Sequence, residues 1–163
     1  SHGVNRGTLK KGKFDNRIKF LNKLTTYLEG IDYDFYGYEN VEPVWADKFY
    51  KALIECKMGL NLSRGEPTKY YTSNRIASLI GNGLLTFIDR KTEIDRIFNK
   101  NEIIFYNSIP ELADKIRFYK TNEKSRINIA KKGQKKYFKL FNEKNTSEYL
   151  VKKILGKNIS LFY

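Results

Sequence analysis

Apolar residues recur along the chain in two alternating periods, one typical of helices and one typical of strands. In residues 14–28 the apolar side chains are three or four residues apart, which predicts an amphipathic helix that ends at Gly30. Residues 31–37, IDYDFYG, alternate acidic with apolar and aromatic residues and predict a strand. The same order continues through predicted helices at 43–56, 74–80, 92–98 and 108–120 and predicted strands at 58–63, 84–88 and 102–106. Two further helical patterns, at 123–141 and 146–155, have no strand between them.

Strands that alternate with helices at this spacing predict an α/β fold. We expect a Rossmann-like parallel sheet with helices on both faces, followed by two C-terminal helices. In such sheets a ligand binds beyond the carboxyl ends of the strands. This rule places residues 64–75, which follow the predicted strand at 58–63, at the ligand crevice. The loops expected beside them on the same rim are 37–42, 89–92 and 107–108.

The length and composition fit one folded domain. The chain has 163 residues, of which 40% are hydrophobic and 15% aromatic, enough to bury a core without disulfides or metal. We expect residues 14–163 to form a single domain. In residues 1–13, the opening Ser-His-Gly resembles a cleaved tag remnant. The rest of this stretch is a glycine-rich basic loop whose preceding strand is missing, which predicts a fragment of a longer protein.

Cysteine content and hydropathy indicate the compartment. Cys56 cannot form an internal disulfide, and its apolar helical surroundings predict a buried packing residue rather than a nucleophile. No apolar run reaches the roughly 18 residues that a membrane span needs. We therefore expect a cytoplasmic protein.

The net charge of +13 is concentrated at the C-terminal end. Residues 115–163 contain 14 Lys or Arg and three Glu, a net charge of +11. Two interpretations stay open: solvated helix faces that accept lysine at little cost, or a surface for a polyanion or an anionic membrane.

The loop after the predicted strand at 58–63 carries more cations and donors than a connection needs. Arg64, Lys69 and Arg75, with Asn74 at the predicted helix start, can grip a diphosphate, because guanidinium groups and backbone N–H groups at a helix N-terminus bind phosphate oxygens. The alternative is a loop with scattered surface cations. Ser73 and Asn74 can also cap the helix, and capping does not exclude binding.

Three further side chains of this loop suit a sugar or a nucleoside. Tyr70 and Tyr71 can stack on a base or sugar face, or pack over a sheet edge. Glu66 can accept hydrogen bonds from sugar hydroxyls, or remain solvated.

Two weaker motifs complete the candidate chemistry. Gly3, Asn5 and Arg6 suit a phosphate-facing turn, although no complete phosphate-binding fingerprint is present. Asp32 and Asp34 have the Asp-x-Asp spelling of some metal sites, but they lie within a predicted strand and no further ligand is placed. His2 is the only histidine, so we expect no metal site.

Several of these motifs together resemble a known family. The run 60–89 resembles the C-terminal domain of GT-B fold bacterial glycosyltransferases of group 1, in the branch similar to spore maturation proteins. Asn61, Ser63, Arg75 and Gly83 occupy the positions of its Asn-x-Ser strand end, its arginine-led helix and its closing glycine. The downstream NEIIFYNSIPELADKIRFY and INIAKKGQKKYFKLFN are similar to its later strand and helices.

The resemblance implies a donor-binding domain of a hexosyltransferase-like enzyme. Such a domain holds the diphosphate of a nucleotide sugar, and Arg75, with Arg64 or Lys69, would neutralise the departing diphosphate without metal. The nucleotide sugar would be a substrate, and no cofactor is implied. Ser78 falls where the family commonly has a helix carboxylate that contacts the donor ribose.

The resemblance also implies partners. A missing N-terminal domain would supply the catalytic base and the contacts to a glycan or envelope acceptor in polysaccharide biosynthesis, so we expect the isolated domain to be inactive. The location would be cytoplasmic, with peripheral contact at the inner face of the membrane left open. The alternative function is a non-catalytic basic module for an anionic membrane surface or nucleic acid, with nucleic acid the less favoured partner.

Overall fold

Parallel strands form the centre of the fold. The computed structural model describes residues 15–38, 40–63, 65–72 and 74–157. Three strands pair in parallel in the order β1-β2-β3, where β1 is Met58–Asn61, β2 is Leu85–Asp89 and β3 is Ile104–Tyr106. Met58 lies opposite Leu85, and Phe87 lies opposite Ile104. The predicted α/β fold with a parallel sheet is confirmed.

Helices flank this sheet. The α-helices of the described residues are α1 (Arg17–Thr25), α2 (Ala46–Glu55), α3 (Arg75–Gly81), α4 (Ile109–Thr121), α5 (Glu123–Leu140) and α6 (Glu143–Ile154). Two short 3-10 turns, Arg90–Thr92 and Ile94–Arg96, follow β2. No helix within the described ranges is both long and apolar enough to cross a lipid bilayer.

The two faces of the sheet bury separate clusters because alternate residues of a strand point to opposite faces. On one face, Leu85 and Phe87 of β2 pack with residues of α1, the turn after it, α4 and α5, including Leu24, Leu28, Leu112, Ala113 and Ile129. On the other face, Ile88 packs with residues of α3, β3 and the 3-10 region, including Ile76, Ile80, Ile94, Phe98 and Phe105. The order of strands and helices along the chain thus produces helix layers on both sides of the sheet.

The strand expected at residues 31–37 does not form. Its backbone closes local turns instead, with the N–H of Ile31 donating to Leu28 O and the N–H of Tyr38 donating to Phe35 O. Asp32 and Asp34 are exposed in this segment. Alternation alone cannot make a strand, because a strand also needs a neighbouring strand to accept its hydrogen bonds.

The helix expected at 92–98 is replaced by the two 3-10 turns. The Asp89 carboxylate accepts a hydrogen bond from Lys91 N at 2.8 Å, which starts the first turn. Glu93 then has a left-handed conformation with φ of 51°, which separates the two turns. A residue in this conformation ends a right-handed helix. The regularly spaced apolar residues of this segment therefore lie in two tight turns instead of one α-helix.

The remaining helices and strands form close to their expected positions, with ends shifted by a few residues. α6 begins three residues early because the Asn142 side chain accepts from Asn145 N at 2.9 Å and caps the helix. α1 spans Arg17–Thr25, which is shorter at both ends than the range expected. Residue 14, its expected first residue, lies outside the described part of the chain.

Candidate functional site

A cavity of about 850 Å³ opens beside β1. Its walls come mainly from α1, α2, β1, α3 and the segment 31–36, with further residues from β2, α4 and α5. Most of the lining is apolar or aromatic, including Leu21, Leu53, Leu60, Phe35, Tyr33 and Tyr36. Ligand pockets in proteins typically have volumes of about 300 to 1,000 Å³ and apolar walls with a few placed polar groups. The cavity is therefore large enough for a ligand of nucleotide size.

Within the described part of the chain, three arginines reach this cavity from different helices. Arg17, at the start of α1, is 8% exposed and binds both carboxylate oxygens of Asp15, with Nη2 at 2.6 Å from Oδ2. Arg126, on α5, is 5% exposed and donates to Glu123 Oε1 at 2.7 Å and to Tyr119 O at 3.0 Å. Both of these buried cations are paired with a carboxylate.

Arg75, the third arginine, has no carboxylate partner within the described part of the chain. Its Nη1 donates to Leu62 O at 2.6 Å, but its Nε is buried and makes no hydrogen bond there. Burial of the guanidinium, and then the nearby charge of Arg17, lower the pKa of Arg75. An arginine stays ionised near neutral pH even so. The cavity wall thus contains a partly desolvated cation whose charge is balanced by no carboxylate of the described residues, and an anion in the cavity could balance it.

The packing of α3 on β1 explains why Arg75 faces the cavity. Ile76, Leu79 and Ile80 are the buried residues of α3. Leu79 packs directly over Gly59, where a Cβ would overlap the leucine side chain. The missing side chain at Gly59 therefore brings α3 close to β1, with Arg75 and Ser78 along the cavity wall.

A comparison with models of known families identifies the family of the chain. A family model described as glycosyl transferase-like matches residues 16–152, which is more than half of the chain and includes every residue of the cavity wall. The chain belongs to the glycosyl transferase-like family. No curated protein and no solved structure matched it. Membership indicates a transferase that acts in glycosyl transfer, with a sugar donor and an acceptor in general terms.

In this glycosyl transferase-like domain, two of the site residues expected from the sequence line the cavity, namely Arg75 and Ser78. Ser78 lies one helical turn after Arg75 on α3 and is half-buried. Tyr71 is exposed and does not line the cavity. Arg75 and Ser78 are thus the expected site residues that the described structure brings together, one helical turn apart on α3.

Lys69 and Tyr70 belong to a different cluster, which includes Glu93 and Arg96. Lys69 Nζ lies 2.9 Å from Glu93 Oε2 and 5.4 Å from the centre of the Tyr70 ring. Arg96 Nη2 lies 3.3 Å from the same carboxylate oxygen. The hydrogen bond from Lys69, then the two positive charges, lower the pKa of Glu93. An anion that binds Lys69 must compete with this carboxylate.

Two more expected residues lie on the surface. The Glu66 carboxylate accepts a hydrogen bond from Asn16 Nδ2 at 3.2 Å, which connects the loop to the start of α1. Asn74 precedes α3, is exposed and makes no capping hydrogen bond with its side chain. Neither lines the cavity. The other expected site residues, Gly3, Asn5, Arg6, Arg64 and Ser73, lie outside the described residues.

Cys56 is not the buried packing residue expected from its apolar neighbours. It follows α2, is exposed and lies on the rim of the cavity. Desolvation, together with Asp34 and Glu55, raises the pKa of its thiol. The prediction of burial was wrong because the helix ends at Glu55, so Cys56 no longer follows the helical face.

Asp32 and Asp34 also line the cavity, on the segment where a strand was expected. Tyr36 Oη lies 3.4 Å from Asp34 Oδ2. Among the described residues, no three His, Cys, Asp or Glu side chains are grouped closely enough to hold a metal ion.

Arg17 and Arg126 were not identified as site candidates from the sequence, although each leaves a signal there. Arg17 stands four residues before Leu21 and shares the buried face of α1 with it. Arg126 stands three residues before Ile129 on the buried face of α5. Charged residues are rarely buried unless they are paired, so a cation on the apolar face of a predicted helix marks a buried ion pair.

Proposed function

We propose that this domain binds the diphosphate of a nucleotide-sugar donor in the cavity beside β1, with Arg75 as its main contact. One observation carries the proposal: the Arg75 guanidinium lines a cavity of about 850 Å³, is partly desolvated and has no carboxylate partner among the described residues. A diphosphate would supply the charge and the hydrogen-bond acceptors that Arg75 lacks. The family membership supports this choice among anionic ligands.

The chemistry proposed for Arg75 is stabilisation of the leaving group. When a glycosidic bond to a diphosphate breaks, negative charge develops on the departing phosphate oxygens. A preorganised guanidinium at that position stabilises the transition state more than the ground state. In this proposal the arginine replaces a metal ion, and Arg17, which lines the same cavity and pairs with Asp15, lies near enough for its charge to act on Arg75. No cofactor takes part.

The cavity walls suggest where the rest of the donor lies. Tyr33, Phe35 and Tyr36 provide an aromatic wall that can contact a base or sugar face. Ser78 offers a hydroxyl on the same side as Arg75, which suits a weaker contact to a ribose than a carboxylate would make. Roles for Arg64, Lys69, Asn74, Glu66, Tyr70, Tyr71 and Ser73 stay predictions.

The same proposal includes a more specific type of glycosyltransferase. We infer a hexosyltransferase of the GT-B kind, in which another domain contacts a glycan or envelope acceptor on the cytoplasmic side in bacterial polysaccharide biosynthesis. The resemblance of residues 60–89 to that family supports this inference. A sugar-transfer assay with the 163-residue chain tests whether a second domain is needed for activity. We expect no transfer, and transfer by this chain alone would contradict the need for a second domain.

Calorimetric titration tests the donor site directly. We expect UDP, GDP or ADP to bind more tightly than the matching monophosphate, in buffer with EDTA. Arg75→Ala should weaken diphosphate binding by about 1.5 to 3 kcal/mol, the range for hydrogen bonds to charged groups. Lys69→Ala should have a smaller effect, because Lys69 already has Glu93 as its partner.

Arg117→Ala is the matched control for this titration. Arg117 is an exposed arginine that pairs with Asp114 at 2.6 Å and does not line the cavity, so its replacement should leave affinity unchanged. If no nucleoside diphosphate binds, the proposed function is wrong. If Arg75→Ala binds as tightly as the parent chain, the diphosphate lies elsewhere.

A further inference from the structure

The outer face of α6 is apolar and exposed. α6 buries none of its residues. Leu150 and Ile154 are four residues apart, as are Val151 and Leu155 just after the helix, so these four side chains share one face. All four are exposed, and Ile154 is 82% exposed. Such a cluster on a surface marks a site of contact with another molecule or a membrane.

This face points away from the rest of the domain. Asn145 Nδ2, on the other side of α6, donates to Lys139 O at the end of α5. Tyr149 and Lys152 lie on the same side as Asn145 and are half-buried. This hydrogen bond ties the start of α6 to the end of α5, while the apolar side of α6 faces the solvent.

The adjoining outer face of α5 is basic. The lysines there are exposed and make no ion pair with a described residue, namely Lys124, Lys131, Lys132, Lys135 and Lys139. Ile127 and Phe138 are exposed on the same face. Residues 123–157 contain eleven Lys or Arg and three Glu. We call the outer faces of α5 and α6 together the C-terminal surface.

We propose that the C-terminal surface binds an anionic membrane. Lysines beside exposed aliphatic side chains are the combination that holds an amphipathic helix in the headgroup region of a bilayer containing acidic lipids. The aliphatic residues of α6 would enter the acyl boundary, and the lysines of α5 and α6 would contact the headgroup phosphates. This proposal is independent of the donor site.

Two other occupants fit the same surface less well. Nucleic acid is bound through cations and stacked aromatic rings, which leaves the aliphatic face of α6 without a role. A second copy of the chain would cover the aliphatic face but would bring two lysine-rich surfaces together, which is unfavourable. Binding to an anionic membrane accounts for both the positive charge of α5 and the exposed aliphatic side chains of α6.

Vesicle sedimentation with the 163-residue chain tests the proposal. We expect binding to vesicles that contain phosphatidylglycerol to be at least about tenfold tighter than to vesicles of phosphatidylcholine alone, and to weaken as salt is added. Ile154→Asp should weaken this binding by at least about tenfold, because a charge replaces the most exposed apolar side chain. The double variant Lys131→Glu, Lys135→Glu should weaken it as well, through charge alone.

Ile54→Asp is the matched control. Ile54 is 81% exposed on α2 and does not belong to the C-terminal surface, so its replacement should leave vesicle binding unchanged. Circular dichroism melting of each variant checks that these surface changes keep the fold.

Four outcomes would overturn the proposal. The first is no binding to vesicles, and the second is equal binding to both vesicle types. The third is salt-sensitive binding to a duplex oligonucleotide that is tighter than vesicle binding and unchanged in Ile154→Asp, which would assign the surface to nucleic acid. The fourth is a dimer that Ile154→Asp separates, without vesicle binding, which would assign it to a second copy.

Discussion

Arg75, which is partly buried, differs from the two buried arginines because no carboxylate of the described residues balances its charge. Arg17 and Arg126 each have a carboxylate within 2.7 Å. Such pairs offset the loss of hydration when a charge is buried. Among the described residues, Arg75 has the carbonyl of Leu62 and a neighbouring positive charge but no carboxylate. A partly desolvated charge without a counter-charge is typical of binding sites, where a ligand can supply the missing partner.

Substitution of Gly133 tests how tightly α5 packs against the segment before β3. A Cβ at Gly133 would overlap the backbone carbonyl of Glu102, which a small side-chain movement cannot relieve. We expect Gly133→Ala to lower the free energy of unfolding by about 1 to 3 kcal/mol, the usual range for overpacking. Urea denaturation followed by circular dichroism measures this change.

Gly81 provides the control for Gly133. It also lies in a helix, but a Cβ there would meet only Phe138, at 4.0 Å. Gly81→Ala should therefore be neutral or slightly stabilising, since alanine favours helix more than glycine does. Equal effects of the two substitutions would show that the close approach of α5 to Glu102 is not present in solution.

At the scale of single elements, the start of α4 shows how sequence determines a helix end. Ser108 Oγ accepts from Glu111 N at 3.3 Å, and Glu111 Oε2 accepts from Asn107 N at 2.8 Å. This is a variant of the capping box in which the Glu111 carboxylate accepts from the residue before the N-cap, with Pro110 in the first turn. The spelling Ser-Ile-Pro-Glu predicts such a helix start without any tertiary information.

The capping box makes α4 sensitive to acid. The hydrogen bond from Lys115, and then the two from Asn107, lower the pKa of Glu111 to about 2 from an ordinary 4.5. The stabilisation is thus complete above about pH 4.5 and is lost as the pH falls towards 2. At pH 7 we expect Glu111→Gln to lower the free energy of unfolding by about 0.5 to 1 kcal/mol, because the carboxylate is partly exposed.

Urea denaturation of the parent chain and Glu111→Gln between pH 7 and pH 2 measures the effect. The difference in unfolding free energy should shrink as the pH falls below about 4.5 and vanish near pH 2. Glu148→Gln on α6, where the carboxylate lies 3.7 Å from Lys152 on the surface, should change stability by less than about 0.5 kcal/mol at any pH. A constant difference for Glu111→Gln across this range would contradict the assignment.

Elements with a local signal could be predicted from the sequence, and elements that depend on distant partners could not. β2 has buried apolar residues on both faces, and α4 has its capping box, so both were predicted well. Residues 31–37 have strand-like alternation but close local turns. The alternation of residue types along a segment shows only which side chains would suit the two faces of a strand. Whether the strand forms depends on a neighbouring strand to pair with, and the sequence of the segment does not specify that neighbour.

At the scale of the whole molecule, the cavity brings together residues that are far apart in sequence. Arg75 could be predicted because it follows a strand and starts a helix, the position where α/β folds bind ligands. Arg17 could not, because its part in the cavity depends on how α1 packs on the sheet. Lys69 and Arg75 are close in sequence, yet Lys69 turns to Glu93 in the loop after β2. Sequence proximity therefore did not predict which cations share the cavity.

A ligand that binds only the folded domain must raise the stability of the whole molecule. At a nucleoside diphosphate concentration about 100 times its Kd, the expected stabilisation is about 2.7 kcal/mol. For a chain of this size, that raises Tm by about 5 to 10 °C. In Arg75→Ala the same concentration should give about half the stabilisation or less, because binding is weaker. Differential scanning calorimetry with and without the nucleotide measures both shifts.

Sodium sulfate at matched ionic strength separates a specific site from a general salt effect. Sulfate can approach Arg75, but it lacks the nucleoside that contacts the apolar walls of the cavity, so its shift should be smaller. Kosmotropic anions also stabilise folded proteins without a site, and that contribution should be the same in the parent chain and in Arg75→Ala. An equal Tm shift from sulfate and nucleotide, unchanged in Arg75→Ala, would mean that the cavity does not hold the diphosphate, because only cavity binding couples the nucleoside, the phosphate and Arg75.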